Sequence, residues 1–424
     1  MSIKSSLKNV VGAERLSTIK GQVYHYGCTA YFILKHKDKL SYDNTIVRKM
    51  AEFSSNNFHI FRGYYDLKYL SDDSRKLLCH RLPVNADSNK NTRCEIGYYD
   101  VDTNIFTQIA NSSAWCWQQG SRLRWNPQNK DFIMFNDVSK GTYCTKFYDI
   151  NSKKQVYHID WPLYDLDSNC KWGISLNYSR LQRLRPGYGY NYFEDKTYDQ
   201  FAPKDDGLFM IDIENNSSEL IVSLDELARK IPHGNKYIHY LNHISVAPDN
   251  QHFIFFHIYM ESQKKGWNTV LYVYDVVNKK YYAIEKVDRV SHYCWINNQN
   301  LMVTCHKKNG TEYYCIYNIL SGKKRILKID GLQVDGHPNK LGTFGYYVTD
   351  TYPLDKGIQR IEMFTEQSLH VQLIASLYHD YRLRGEKRCD LHPSTEKNGL
   401  IISIDTTYHN GKRSIVLFEN IMEE

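Results

Sequence analysis

The sequence predicts an all-β fold, a seven-bladed β-propeller with four-stranded blades and short helical decorations. Three observations carry that prediction. A strand, a short polar turn and a second strand recur seven times, at 96–109, 143–159, 207–224, 269–284, 312–327, 358–376 and 413–421. The spacing of about 40–60 residues is the period of propeller blades. Apolar runs follow turns rich in Pro, Asn and Asp, as a buried strand follows a tight hairpin. The chain also has 35 tyrosines among its 424 residues, and tyrosine favours strands over helices.

Taken in order, the inner-strand signals start with Trp125-Asn126-Pro127, which leads to Phe132-Ile133-Met134-Phe135. Val246-Ala247-Pro248-Asp249-Asn250 leads to Phe253-Ile254-Phe255-Phe256, and Trp295-Ile296-Asn297-Asn298 to Leu301-Met302-Val303. Several outer hairpins turn on short polar sequences: Asn151-Ser-Lys-Lys154, Val277-Asn-Lys-Lys280 and Ser321-Gly-Lys-Lys324. A single blade cannot bury both of its faces, whereas blade against blade does. Residues 1–424 therefore read as one propeller domain, with 1–20 as an N-terminal extension and roughly 20–35 as the segment that closes the ring. Residues 223–231 read as a short helix with Ser223 as N-cap and an acidic first turn. Residues 44–53 read as a second helix, 180–190 as an Arg- and Tyr-rich loop, and 405–413 as a hairpin turn.

Bulk properties narrow the function classes. The net charge is +7, compatible with an anionic ligand and far short of a nucleic-acid tail. The N-terminus lacks the apolar stretch of a signal peptide, and no run approaches the ~18 apolar residues of a membrane span. The ten cysteines contain no CxxC pair, so reduced thiols in a cytoplasmic protein are expected. There is no Gly-x-Ser-x-Gly elbow, Walker loop or HExxH, which disfavours serine hydrolase, nucleotide-driven and zincin chemistry.

The chemistry-bearing residues are histidines. Asn242-His243, Ser291-His292-Tyr293, Gly336-His337-Pro338 and Asp390-Leu391-His392-Pro393 each place one just before a strand-like run, about once per repeat. Equivalent positions of a ring converge on its axis, so the four are expected to form one cluster. His292, Asp390 and His392 are the metal candidates, since mixed N/O ligation suits a divalent ion such as Mn²⁺. Asp390 and His392, two apart, would share a face of a regular strand. His337 joins the ring by pattern. His257, after the run ending at Phe256, is a further candidate. In the segment 115–125, Arg122 and Arg124 alternate on an expected strand, so at most one faces the channel, with Gln118 and Gln119 nearby. Arg180, Arg183 and Tyr188 belong to a loop whose guanidinium and aromatic surfaces suit sugar rings and their carboxylates.

These residues resemble the oligogalacturonate lyase family of seven-bladed propellers, related to TolB-type repeats. The likeness is carried by Leu241-Asn242-His243, Phe255-Phe256-His257, Ser291-His292-Tyr293-Cys294-Trp295 and the stretch from Gly385 to Ser394. It covers the second half, and the first half only through the repeat. The resemblance implies a manganese-type ion held by three histidines and a glutamine, and β-elimination by a histidine base with an assisting arginine. Carried across, His292 and His392 match ligands, Asp390 falls where the family has another histidine, and the glutamine falls at about Lys387 or Arg388. The base is His243 or His257. Arg122 is the arginine candidate for catalysis. Gln118, Gln119, Arg180, Arg183, Tyr188 and His337 are the candidates for contacting substrate.

The leading expectation is a lyase acting on a uronate-containing oligosaccharide. The second is a non-catalytic propeller binding an acidic glycan or a protein partner. A third is a hydrolase using Asp390 or Asp350 as acid. Nucleic acid and membrane are not expected as partners.

Overall fold

In a computed structural model, the chain closes into a ring of seven antiparallel sheets. The structure describes residues 39–422 except 87–91, 343–344, 381 and 410, with scattered positions between 22 and 34. Blade 1 comprises Phe58–Phe61, Lys76–Pro83, Cys94–Asp100 and Phe106–Ser112. Blade 2 starts at Arg124–Asn126, blade 3 at Asp165–Leu166, blade 4 at Ile238–Val246, blade 5 at Arg289–Trp295, blade 6 at Asn339–Leu341 and blade 7 at Ser394–Glu396. In each, neighbouring strands in sequence pair as neighbours in the sheet. The expected propeller is therefore the observed fold.

Ring closure differs from the expectation. The outermost strand of blade 7 is Val47–Phe53, which pairs with Ser414–Asn420. Residues 44–53 are thus a closing strand for most of their length and not a helix. Val47 and Phe53 are its fully buried residues, and the unpaired edge of the last strand supplies its hydrogen-bond partners. Half of the 20–35 segment, like all of the 1–20 extension, lies outside the described residues. Leu40–Tyr42 adds a fifth strand to blade 6.

The two described α-helices are short. Leu224–Arg229 is capped by Ser223, whose hydroxyl accepts from the Glu226 amide, as its sequence predicts. Tyr178–Leu184 occupies the first half of the stretch expected to be loop. Asn177 caps it by accepting from the Arg180 amide, and Leu181 and Leu184 bury its inner face.

The axis is filled. After its innermost strand, blade 1 sends residues Arg62 to Asp66 across the channel. Gly63, at φ +129°, runs so close to blade 2 that a Cβ would lie 3.0 Å from the Gln119 carbonyl oxygen. The Tyr65 hydroxyl donates to the Tyr293 carbonyl of blade 5, and Asp66 pairs with Arg122 beside blade 2. The Tyr64 ring lies against His243, His337, His392 and Tyr188. One segment thereby touches groups from blades 2 to 7. Arg62, fully buried, spans the closure: it pairs with Asp405 and donates to Ser394, Ser403 and the His392 carbonyl.

Candidate functional site

Four histidines gather around the Tyr64–Tyr65 plug. Ring centroids are 6.0 Å apart for His243 and His292, 4.0 Å for His292 and His337, and 4.4 Å for His337 and His392. All four are buried. Local backbone irregularity aims them. His243 and His292 sit where register shifts interrupt their innermost strands. His243 and His392 adopt left-handed backbone, at φ +51° and +47°. Such strain persists only where the surroundings enforce it.

Three of the rings are oriented through Nδ1. That atom of His292 lies 3.0 Å from Asp335, that of His337 2.8 Å from Asp350, and that of His392 2.9 Å from the Gly63 carbonyl oxygen. This leaves Nε2 as the ligand-bearing atom, the arrangement in which an outer carboxylate or carbonyl fixes a metal-binding imidazole. Nε2 of His337 and of His392 have no hydrogen-bond partner although buried. One ring nitrogen of each histidine and a carboxylate oxygen of Asp390 lie within 4.8 Å of one another. Nε2 of His292 is 3.4 Å from the Tyr352 hydroxyl. His392 is not on a regular strand, yet its Nε2 comes 4.0 Å from Asp390.

Electrostatics explains why the cluster suits a cation. Burial and the neighbouring His337 depress His392 well below the ordinary imidazole range, and burial with His337 also lowers His292. His337 alone is raised: burial opposes its charge, but Asp350, helped by Asp390 and Asp335, more than reverses that. Burial would raise the Asp390 carboxyl, but paired hydrogen bonds from Arg388 hold it far below the usual range. Three imidazoles cannot all be charged at these separations. A divalent ion held there would supply positive charge without crowding three protons.

His243 stands beside this group. Burial and the charges of His292, Arg185 and His337 hold it neutral. Asn242 donates to its Nε2 at 3.2 Å, and the Asn242 amide is itself fixed by Gln119 and the Tyr164 hydroxyl. Nδ1 has no partner. His243 and His292 line a small cavity of about 20 Å³ with Arg185, Tyr188, Trp267 and others. The Tyr178–Leu184 helix and the turn after it touch the 385–388 turn, where Gln182 donates to Glu386.

The other sequence candidates are placed as follows. His257 lies outside the cluster, its Nε2 2.8 Å from Nδ1 of His239. Gln118 donates to the Arg388 carbonyl. Tyr188 packs edge-on against His243. Arg180 ties down the segment at 197–201 through carbonyls, and Arg183 pairs with Asp195. Arg122 and Arg124 do not alternate on one strand. Left-handed backbone at Arg122 sends both guanidinium groups to the Tyr164 carbonyl, and each is paired, with Asp66 and Asp165 respectively.

Sequence reasoning missed Tyr64, Tyr65, Asp335, Tyr352 and Arg185. Asp335 stands two residues before His337 and Tyr352 two after Asp350, which is a faint local signal. Tyr64 and Tyr65 carry none.

Neither a protein-family model nor a curated protein sequence matches the chain. Solved structures do. An oligogalacturonate lyase in complex with manganese superposes with a TM-score of 0.64 at 14% identity, covering 90% of this chain and 96% of that one. The oligogalacturonate lyase from Vibrio parahaemolyticus gives 0.61 at 13% identity, with coverage of 90% and 96%. The GH74 xyloglucanase from Xanthomonas campestris gives 0.50 at 10%, covering 90% of this chain and 54% of that one. These likenesses establish a shared propeller fold.

Proposed function

We propose that the chain is a carbon–oxygen lyase that cleaves a uronate-containing oligosaccharide by β-elimination. The observation that carries this reading is the set of three imidazoles anchored at Nδ1, two with orphaned Nε2 atoms near Asp390, next to a neutral His243. Buried nitrogen lone pairs without partners, beside a carboxylate, are the donor set of a divalent site. His292, His337, His392 and Asp390 would hold the ion, with Mn²⁺ the first choice because one structural relative is a manganese complex. When bound, it would supply positive charge for the uronate carboxylate and for the negative charge that develops beside it.

The residues of the chain do the rest. His243 is neutral and able to take a proton, and it accepts the one from the carbon next to the carboxylate. The bond from the neighbouring carbon to the glycosidic oxygen then breaks, leaving an unsaturated uronate, and the departing oxygen takes up a proton in place of the one now on His243, so that no water is added. Asp335 and Asp350 hold the His292 and His337 rings. His257, paired with His239, supports the blade instead of the reaction.

The cavity size favours a second reading. About 20 Å³ holds roughly one water. A sugar ring does not fit that space as it stands, and a propeller that keeps this shape would bind an acidic glycan at its rim without cleaving it.

The test combines two measurements on the purified chain: elemental analysis, and ultraviolet absorbance of unsaturated product from oligogalacturonate with and without added Mn²⁺. The proposal expects about one metal per chain, lost in His337→Ala and His392→Ala, and product formation that His243→Ala abolishes. Retention of the metal in both variants, or no product under any condition, would overturn it.

A further inference from the structure

Most arginines around the axis are already neutralised. Arg62, Arg122, Arg124, Arg183 and Arg388 each pair with a carboxylate. Two that stack on Trp267, a residue lining the histidine cavity, are different. The guanidinium carbons of Arg185 and Arg289 lie 4.2 Å and 4.8 Å from the centre of the Trp267 ring. Among the described residues neither is in an ion pair with a carboxylate. On the Arg289 side, Asp335 and Glu312 are turned to His306. Arg289 itself reaches His306 Nδ1 at 3.1 Å.

The three residues come from three elements. Arg185 follows the Tyr178–Leu184 helix of blade 3, Trp267 sits in the loop before Asn268–Asp275 of blade 4, and Arg289 begins the blade 5 strand that carries His292. All three are half-buried. Stacking on an indole holds a guanidinium in place with several N–H groups left to donate. Arg185 also hydrogen-bonds the Tyr188 side chain, so each guanidinium has a neutral or cationic neighbour and no carboxylate partner. Two such groups on one indole, Arg185 lining the cavity, make a ready site for a planar anion.

We infer that Arg185 and Arg289, both stacked on Trp267, form a carboxylate-binding subsite for a uronate unit next to the one that reaches the histidine cluster. This rests on the reading that the ligand is an acidic saccharide. It adds that the chain recognises at least two consecutive carboxylates, and that esterified or neutral saccharides are discriminated against at this subsite. Arg185 and Arg289 are binding residues here and take no part in bond breaking.

The experiment uses the full chain with trigalacturonate and its methyl ester as probes. Affinity is measured by calorimetry, and product formation separately by ultraviolet absorbance. Loss of charge-assisted hydrogen bonds predicts that Arg185→Gln and Arg289→Gln each weaken trigalacturonate binding by about 10- to 100-fold. The methyl ester should bind wild type as weakly as the acid binds the variants. Where turnover is measurable, Arg289→Gln, which does not touch the charge environment of His243, should raise KM with kcat nearly unchanged. Arg289→Lys, which keeps charge and fold but not the planar fork, should recover only part of the affinity. The inference is overturned if both Gln variants, folded by near-ultraviolet circular dichroism, bind trigalacturonate like wild type. It is also overturned if acid and ester bind wild type equally, or if trigalacturonate does not bind. Arginine-dependent binding without unsaturated product sinks the lyase reading and leaves the subsite standing. Product formed with an unchanged KM in the variants does the reverse.

Discussion

The Asp350 carboxylate orients His337 and His392 together. One oxygen accepts from the His337 backbone amide at 2.8 Å and lies 2.8 Å from its Nδ1, while the other accepts from the His392 backbone amide at 3.0 Å. A single acidic residue of blade 6 thus fixes the ring of one candidate ligand and the left-handed backbone of the next.

Asp350→Asn should therefore cost metal affinity before it costs the fold. Outer-shell partners of ligating histidines are worth about 10- to 100-fold in affinity. Competition with a chelator should show a loss of that size in the variant, with circular dichroism unchanged. Equal affinity in the two proteins would deny Asp350 this role.

Arg62→Ala should strongly destabilise the ring. It removes one partner of a buried pair with Asp405 and strips donors from Ser394, Ser403 and the His392 carbonyl. Breaking such a pair typically costs about 3–5 kcal/mol. Urea unfolding would read it as a lower midpoint. A loss below about 1 kcal/mol would show that closure does not depend on Arg62.

His306 predicts how stability changes with pH. Burial lowers its pKa, but the hydrogen bonds it donates to the Asp335 and Glu312 carboxylates raise it to about 9. The folded value exceeds the unfolded one, so the stabilisation is complete below about pH 6.5 and disappears as pH rises through about 9. The shift corresponds to about 3 kcal/mol. The stability difference between wild type and His306→Gln, followed from pH 6 to 10, should shrink across that window. A difference that stays constant would contradict the assignment.

Tyr64→Phe should separate stability from function. The Tyr64 hydroxyl is buried in the cluster without a hydrogen-bond partner. Leaving such a group unsatisfied costs about 1–3 kcal/mol, so the variant should be at least as stable as wild type. If the hydroxyl contacts the bound sugar, saccharide binding should weaken at the same time. A destabilised variant would mean that the hydroxyl has a partner in solution.

The sequence made the propeller legible because each blade repeats the same pattern of turn and apolar run. The closing strand was harder to see. Only Val47 and Phe53 of that seven-residue edge strand are fully buried, so its pattern is weak until its partner is known. The histidine ring was legible because equivalent inner-strand positions recur. What fixes the ring was not. The pairs His292–Asp335 and His392–Gly63 join distant segments, and no spacing rule reports them. The same holds for Arg122, whose left-handed backbone turned an expected channel residue toward Asp66.

The central claim, metal-assisted β-elimination at the histidine cluster, is tested most directly by the mass balance of cleavage. Oligogalacturonate of defined length is incubated with the Mn²⁺-loaded chain and the fragments are weighed by mass spectrometry. Elimination predicts fragments whose masses sum to that of the parent, one of them unsaturated, and no fragments with His243→Ala. Fragments carrying one added water, or an intact parent, would contradict it.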